Sequence, residues 1–200
     1  MYNKTLNELY FTAFDFETTG LYPATDRIVE IGAVKFNLAG EEFRYSGLIN
    51  PEMAMPEKAS EINGITDEML SGMPTEDEIL PGFIDFIDGT VLVAHNIGFD
   101  AGFLNAAVAR QDLRMSDLPC VDTLKMTRNV FKGLFSYKLG ALASHFNIDL
   151  ENAHRAEDDA IACMKIFIEC VRKFPSAPET ELGDFMKKTG TMGRSLSRSR

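Results

Sequence analysis

The sequence predicts an α/β protein on a mixed five-stranded sheet, an antiparallel meander followed by parallel strands, flanked by helices. Three observations predict it. Residues 9–16, 27–37 and 42–50 are strand-like runs rich in aromatic and β-branched residues, joined by connections short enough for a meander. After them, strand and helix patterns alternate, which is how a sheet acquires parallel strands. Finally, Val91-Leu92-Val93-Ala94 has no polar face, so both of its sides need cover.

Taken in order, Leu9 to Phe16 reads as the first strand and Arg27 to Asn37 as the second, with Ile28, Val29, Ile31, Val34 and Phe36 as apolar positions. Asn37 to Glu41, with Gly40, forms a hairpin connection to a third strand, Glu42 to Asn50. Pro51 to Pro81 is the least regular stretch. Within it, Ala59 to Thr66 holds one short helix that ends near Asn63-Gly64, where glycine supplies a left-handed cap. Thr75 and Glu78 have capping-box spacing and start a helix toward Ile87, which Pro81-Gly82 should break or kink. Beyond the Val91–Ala94 strand, Phe99 to Arg110 is an amphipathic helix and Cys120 to Asp122 a fifth strand. Thr123 to Val130, Lys138 to His145 and Asp158 to Lys173 complete the helices.

Composition narrows the function classes. A hydrophobic share of 45% with 25% charged residues is ordinary for a globular chain of 200 residues. No apolar run is long enough for a bilayer, and Met1-Tyr2-Asn3-Lys4 leads into a polar stretch, so a cytoplasmic location is expected. Cys163 and Cys170, on one helix, would lie about 10.5 Å apart, beyond disulfide reach, and read as reduced thiols. The net charge of -10 is unfavourable for broad phosphate binding. Five basic residues and no acid occupy 187–200, which leaves fifteen basic against thirty acidic groups before them. A metal site accounts for part of that acidity, because its carboxylates are neutralised by the ions they bind. Lys125, Arg128, Lys132 and Lys138, interleaved with Phe131, Phe135 and Tyr137, fit a single-strand path; a solvated helix face followed by a loop fits equally well.

The first strand ends in Phe14-Asp15-Phe16-Glu17-Thr18-Thr19-Gly20. Alternation sends Asp15 and Glu17 to one face and the two phenylalanines to the other. Two such carboxylates repel by roughly 2 to 3 kcal/mol at about 6 Å and an effective dielectric of about 20. A cation between them, most simply a metal, relieves this, and the small residues that follow leave a seat for a ligand. Asp100 shares a helix face with Phe103, Leu104, Ala107 and Val108, so it points inward; its bland role is to complement the helix dipole. His95 and Asn96 read as turn and cap residues. On the last long helix, Asp159 is in phase with Ala162, Cys163, Ile166 and Cys170, whereas Asp158 is in phase with Ala162, Lys165, Glu169 and Arg172. Asp159 is therefore the inward carboxylate. His154 would diverge from it by about 140° on one continuous helix, so a shared site requires His154 on the preceding loop, where it suits a general base.

Together, Asp-x-Glu in 14–20, His-Asn-x-x-Phe-Asp in 95–100 and His-x4-Asp in 154–159 resemble the three motifs of the DEDDh superfamily, the DnaQ-like 3′-5′ exonucleases. Residues 26–33, 62–66 and 137–142 are similar to its bacterial branch of DNA polymerase III epsilon-type proofreading exonucleases. The resemblance implies a ribonuclease-H-like fold and hydrolysis of a 3′-terminal phosphodiester of DNA, with release of nucleoside monophosphates. Two Mg²⁺ or Mn²⁺ ions, typically about 3.5 to 4 Å apart, would be the cofactors. In that arrangement Asp15 bridges both ions, Glu17 and Asp159 complete one, Asp100 serves the other through solvent, and His154 deprotonates the water. Thr18, Thr19, Gly20 and Leu21 would seat the terminal nucleotide, with Asn63, Ile65, Asn96 and Phe99 around its sugar and base. Residues 1–174 would form the exonuclease domain and 175–200 a flexible basic tail. Partners would be single-stranded DNA 3′ ends, with RNA as an alternative, and a DNA polymerase subunit.

Three other readings stay open. One is a free-standing trimming enzyme acting on single-stranded DNA or RNA. A second is a haloacid-dehalogenase-type phosphatase with Asp15 as nucleophile, which leaves Asp100 and His154 unused. The third is a non-catalytic polymerase-binding module.

Overall fold

The structure, a computed structural model, describes residues 1–150, 154–192 and the backbone of 195–196. Strands β1 (Phe11–Thr18), β2 (Ile28–Phe36) and β3 (Glu42–Leu48) form the antiparallel meander, and β4 (Val91–Ala94) and β5 (Leu118–Asp122) add in parallel beside β1. The sheet order is β3-β2-β1-β4-β5, extended by a two-residue antiparallel β6 (Ser195–Leu196). The mixed five-stranded sheet expected from the sequence is present. Helices α1 (Glu57–Asn63), α2 (Asp67–Leu70) and α3 (Glu76–Ile87) lie between β3 and β4, and α4 (Gly98–Arg110) between β4 and β5. After β5 come α5 (Thr123–Val130), α6 (Leu139–His145), α7 (Ala156–Arg172) and α8 (Leu182–Thr189). Among the described residues no helix is long and apolar enough to cross a membrane.

Side-chain alternation divides the core in two. On one face Phe11, Ala13, Val34, Phe36, Val91 and Val93 pack against Met164, Phe167 and Val171 of α7. On the other, Phe14, Phe16, Ile31, Leu92 and Ala94 pack against Leu80 and Phe83 of α3 and Phe103, Leu104 and Val108 of α4. Burying each such phenylalanine contributes up to about 3 kcal/mol, so the two layers fix the face each β1 residue presents. Asp15 and Glu17 continue the Phe11–Ala13 side, toward the start of α7.

The close approach of α7 to the sheet depends on Gly32. A Cβ there would fall 2.0 Å from the Ala156 carbonyl carbon. Gly32 lies opposite Asp15 in the β1–β2 register, so the strand position beside the carboxylate is also where the helix backbone touches the sheet.

Two expectations are corrected. Pro81 does not break α3, which runs on to Ile87. The proline removes one bond near the helix start, the Thr75–Glu78 capping box holds the first turn, and the Tyr45 hydroxyl donates to the Ile79 carbonyl at 2.9 Å. The stretch expected to be a flexible tail from 175 is folded as far as Met192. Leu182, Phe185 and Met186 of α8 are buried against α7 and the N-terminal turn, and Asn129 of α5 donates to the Thr189 carbonyl at 3.0 Å. Residues 193–194 and 197–200 of that expected tail lie outside the described residues.

Gly32→Ala should cost about 3 kcal/mol or more, at the upper end of overpacking, because both backbones at the contact are held by regular structure. Urea denaturation of the two proteins measures this, and a loss under about 1 kcal/mol would contradict the contact.

Candidate active site

Four carboxylates converge where β1, α4 and α7 meet. Asp15 and Glu17 come from one face of β1 and are half-buried. Asp100, in the first turn of α4, is buried and accepts the Phe16 backbone N–H at 3.1 Å, which ties the helix start to the strand between the other two acids. Asp159 is buried on α7 with Ala162, Cys163, Ile166 and Cys170, while Asp158 is half-buried at the edge of the same helix. The helical-phase choice of Asp159 holds.

His154 precedes α7 in the left-handed region, at φ 68°, and is exposed. Such a backbone is unusual for a non-glycine residue and costs about 1 kcal/mol or more. Its backbone N–H donates to the Asp159 carboxylate. Ligand atoms of Glu17, His154 and Asp159 all lie within 4.8 Å of one another, so loop and helix deliver the pair together.

Crowding sets the electrostatics. Burial pushes the Asp15 carboxyl well above the usual range, and the charges of Asp100, Asp159 and Glu17 add to it. Burial and then Asp159 and Glu30 raise Glu17 to about 8, against a hydrogen bond from the Asn63 side chain. Asp100 is raised to about 7 by burial, opposed by the Phe16 N–H. Asp159 is raised by burial, opposed by the His154 N–H. The set therefore lacks positive charge, and all-oxygen donors of this kind suit hard divalent cations such as Mg²⁺ or Mn²⁺.

A second layer of side chains holds these groups. Glu30 of β2, buried and directly opposite Glu17, accepts the Arg155 guanidinium at 2.7 to 3.2 Å and the Ala156 N–H at 3.1 Å. It joins the sheet to the residue after His154 and to the first turn of α7. Buried Asp122 caps α5 through the Leu124 and Lys125 N–H groups and also accepts the Asn96 N–H at 3.3 Å. His95 is held on both nitrogens, Nδ1 to Thr123 Oγ1 and Nε2 to the Tyr137 carbonyl, each at 2.9 Å, so it is a structural residue of the turn, as read from the sequence.

Residues 12–167 match the exonuclease family RNase_T. The chain belongs to this exonuclease family. Among its relatives, a DNA polymerase III subunit epsilon of Treponema pallidum is 50% identical over 159 residues, 78% of this chain and 74% of that protein. A PolC-type DNA polymerase III of Clostridium perfringens is 40% identical over 78% of this chain, which spans only 11% of that polymerase. Among solved structures, exonuclease X in complex with 5′ overhanging duplex DNA superposes with a TM-score of 0.68 at 24% identity, covering 90% of this chain and 99% of that one. Escherichia coli exonuclease I in complex with a dT13 oligonucleotide gives 0.73 at 20%, covering 90% and 43%. These structures share the fold.

As a member of this exonuclease family the chain is a metal-dependent nuclease, and the crowded carboxylates fit that requirement. The phosphatase reading fails on the same observations, since it leaves Asp100 and His154 without a task. The residues expected to seat the nucleotide make the following contacts within the protein. Thr19 Oγ1 is buried and accepts the Arg27 N–H at 3.0 Å, and Thr18 Oγ1 donates to the Gly20 carbonyl at 2.6 Å. Gly20 lies against the Asp26 carboxylate, whose Oδ2 is 2.4 Å from where a Cβ would stand. Ile65 is fully buried among Val29, Met55 and Leu70. Asn63 is buried too, donating to Glu17 and accepting the Ile65 N–H at 3.1 Å. Leu21 is exposed, and Phe99 is half-buried against Phe103.

Sequence reading missed Glu30 and Arg155. The available signal was an acid inside the apolar strand Ile28-Val29-Glu30-Ile31, which demands a buried partner.

Carboxyl groups with raised values stabilise the folded chain at acid pH, and that contribution is lost as pH rises through about 7 and 8. In chelator, the melting temperature should therefore fall between about pH 5 and pH 8. Saturating Mn²⁺ should raise it by about 5 °C or more at pH 8 and by less at pH 5, as read by scanning calorimetry. A metal-free protein that grows more stable over this interval would contradict the crowding.

Proposed function

We propose that this chain removes nucleotides one at a time from the 3′ end of DNA as the proofreading exonuclease of a bacterial DNA polymerase III, in the cytoplasm. The observation that carries this is the meeting of Asp15, Glu17, Asp100, Asp159 and His154 at one strand end. The similarity to a polymerase III epsilon subunit along most of both chains supports the polymerase as partner.

Asp15, Glu17, Asp100 and Asp159 would hold two Mg²⁺ or Mn²⁺ ions, and Asp15 is the acid whose carboxyl feels the other three. When bound, the ions supply Lewis-acid stabilisation of the attacking and leaving oxygens of an in-line displacement. His154 accepts a proton from the attacking water at a ring nitrogen. The water oxygen bonds to phosphorus as the bond to the 3′-oxygen of the penultimate nucleotide breaks, and that oxygen takes a proton from solvent. The products are a nucleoside 5′-monophosphate and a chain one nucleotide shorter. The left-handed backbone of His154 and the Glu30–Arg155 pair set the entry of the chain into α7, and a ring nitrogen of His154 lies within 4.8 Å of the Glu17 and Asp159 carboxylates. The backbone of 18–20, with Leu21, Asn96 and Phe99, would seat the terminal nucleotide; Asn63 acts through Glu17.

Asp15→Ala and Asp159→Ala should each lower the rate about 10³-fold or more, the scale of several kcal/mol of lost charge stabilisation. His154→Ala should slow single-turnover hydrolysis about 10² to 10⁴-fold with little change in DNA affinity. Asp158→Ala should be mild. Digestion of single-stranded DNA, mismatched duplex and short RNA with Mn²⁺ reads all four variants. Full activity in Asp15→Ala or Asp159→Ala would defeat the assignment, and preference for RNA would defeat proofreading.

A further inference from the structure

The connection between β1 and β2, residues 19–27, closes on itself. At its base the Thr19 N–H donates to the Arg27 carbonyl at 2.9 Å and Thr19 Oγ1 accepts the Arg27 N–H. Nearer the tip, the Asp26 carboxylate accepts the Tyr22 N–H at 2.7 Å, and the Tyr22 carbonyl accepts the N–H groups of Thr25 and Asp26. These bonds shape the loop and leave Leu21 and Tyr22 standing out from it, 72% and 71% exposed. They do not fix how the loop lies against the rest of the protein.

Contacts from α4 do that. Pro23 packs on Gly102, where a Cβ would stand 3.2 Å from the proline Cγ, and Arg110 in the last turn of the same helix donates from Nη1 to the Pro23 carbonyl at 3.0 Å. The other edge of the guanidinium is taken by Glu76, in the first turn of α3, whose two carboxylate oxygens accept from Nε and Nη2 at 2.8 to 3.2 Å. The arginine and glutamate side chains are 24% and 12% exposed, so their geometry is held by packing, unlike that of a solvated surface pair. An ion pair joining α3 to α4 needs nothing from Pro23. The further bond uses the planar guanidinium as a bracket between a carboxylate and a carbonyl, which an ammonium, a single point of charge, cannot span.

One helix thus serves two ends of the site. Asp100 lies in the first turn of α4 and Arg110 in the last, about 15 Å apart along the axis. The element that places a carboxylate also sets the position of the loop that carries Leu21. We propose that Arg110, clamped by Glu76, is a positioning residue that latches the β1–β2 loop so that Leu21 meets the terminal nucleotide of the DNA. The proposal rests on the exonuclease reading above and deepens it. With the latch cut, the loop has to be ordered when DNA binds, and the loss falls on binding while the carboxylates and His154, carried by other contacts, keep the chemical step.

The test is single-turnover hydrolysis of oligo(dT) with a fluorescent 3′-terminal base, in Mn²⁺, over a range of enzyme concentrations. Arg110→Lys keeps a charge for Glu76 and gives up the Pro23 bond. It should raise the half-saturating concentration about five- to tenfold, the scale of ordering one or two side chains on binding, and Arg110→Ala should do the same. The maximal rate should stay within about twofold of the wild type in both. On a Leu21→Ala background Arg110→Lys should add less than about twofold, because the latch acts through Leu21. Unchanged half-saturation in Arg110→Lys, a loss confined to the maximal rate, or a full further loss on the Leu21→Ala background would overturn the proposal. A wild type that leaves DNA 3′ ends intact removes the exonuclease reading and the latch with it, whereas a wild type that cleaves beside an Arg110→Lys variant of unchanged half-saturation removes the latch alone.

Discussion

Four carboxylates share one volume at the end of β1, and the rest of the molecule either creates or withstands their repulsion. At effective dielectrics near 20 each close pair costs about 2 to 3 kcal/mol when ionised, so the cluster is unfavourable without cations. The fold accepts the cost because the backbones are committed elsewhere. β1 is fixed by aromatic packing on both faces, α4 by Phe103 and Leu104, and α7 by Phe167 and the contact at Gly32. Relaxation by moving any one acid would disrupt a layer of the core.

Glu30 shows how the scaffold and the site are coupled. It is a fifth acid, close enough to raise Glu17, yet it is compensated by Arg155 and by the Ala156 N–H. The same contacts set the entry of the chain into α7 and thus the relation of His154 to Asp159. With Glu30 buried and Arg155 exposed, the pair contributes little net stability but penalises wrong geometry, since a displaced helix start would leave Glu30 charged and alone. Asp122 acts similarly on the other side, holding both the start of α5 and the turn at Asn96.

Much of this was legible in the sequence because it rests on periodicity. The period-2 pattern of 14–17 placed Asp15 and Glu17 on one face, and the 3.6 period of the last long helix separated Asp159 from Asp158. The positions of the five strands followed from runs and turns within about two residues. What periodicity does not encode stayed out of reach. The partners of Thr18, Thr19 and Asn63 within the protein, Gly20, Arg27 and Glu17 in that order, are turn-specific or long-range and carry no pattern. Ile65 follows a turn and gives no sign of the small core it fills. The region after Pro175 reads as polar by composition, yet Leu182, Phe185 and Met186 have helical spacing, and three apolar residues suffice when the surface they meet is already formed. Pro81 falls early enough in α3 that a capped first turn and Tyr45 offset it.

The fold holds the carboxylates together partly protonated, so metal binding should displace protons. Calorimetric titration with Mn²⁺ at pH 7, in two buffers of different ionisation enthalpy, measures the protons released per protein. With Glu17 near 8, Asp100 near 7 and Asp15 raised as well, at least one proton should leave as metal binds. Mn²⁺ binding with no proton release would mean that the acids are already ionised and that the fold does not crowd them.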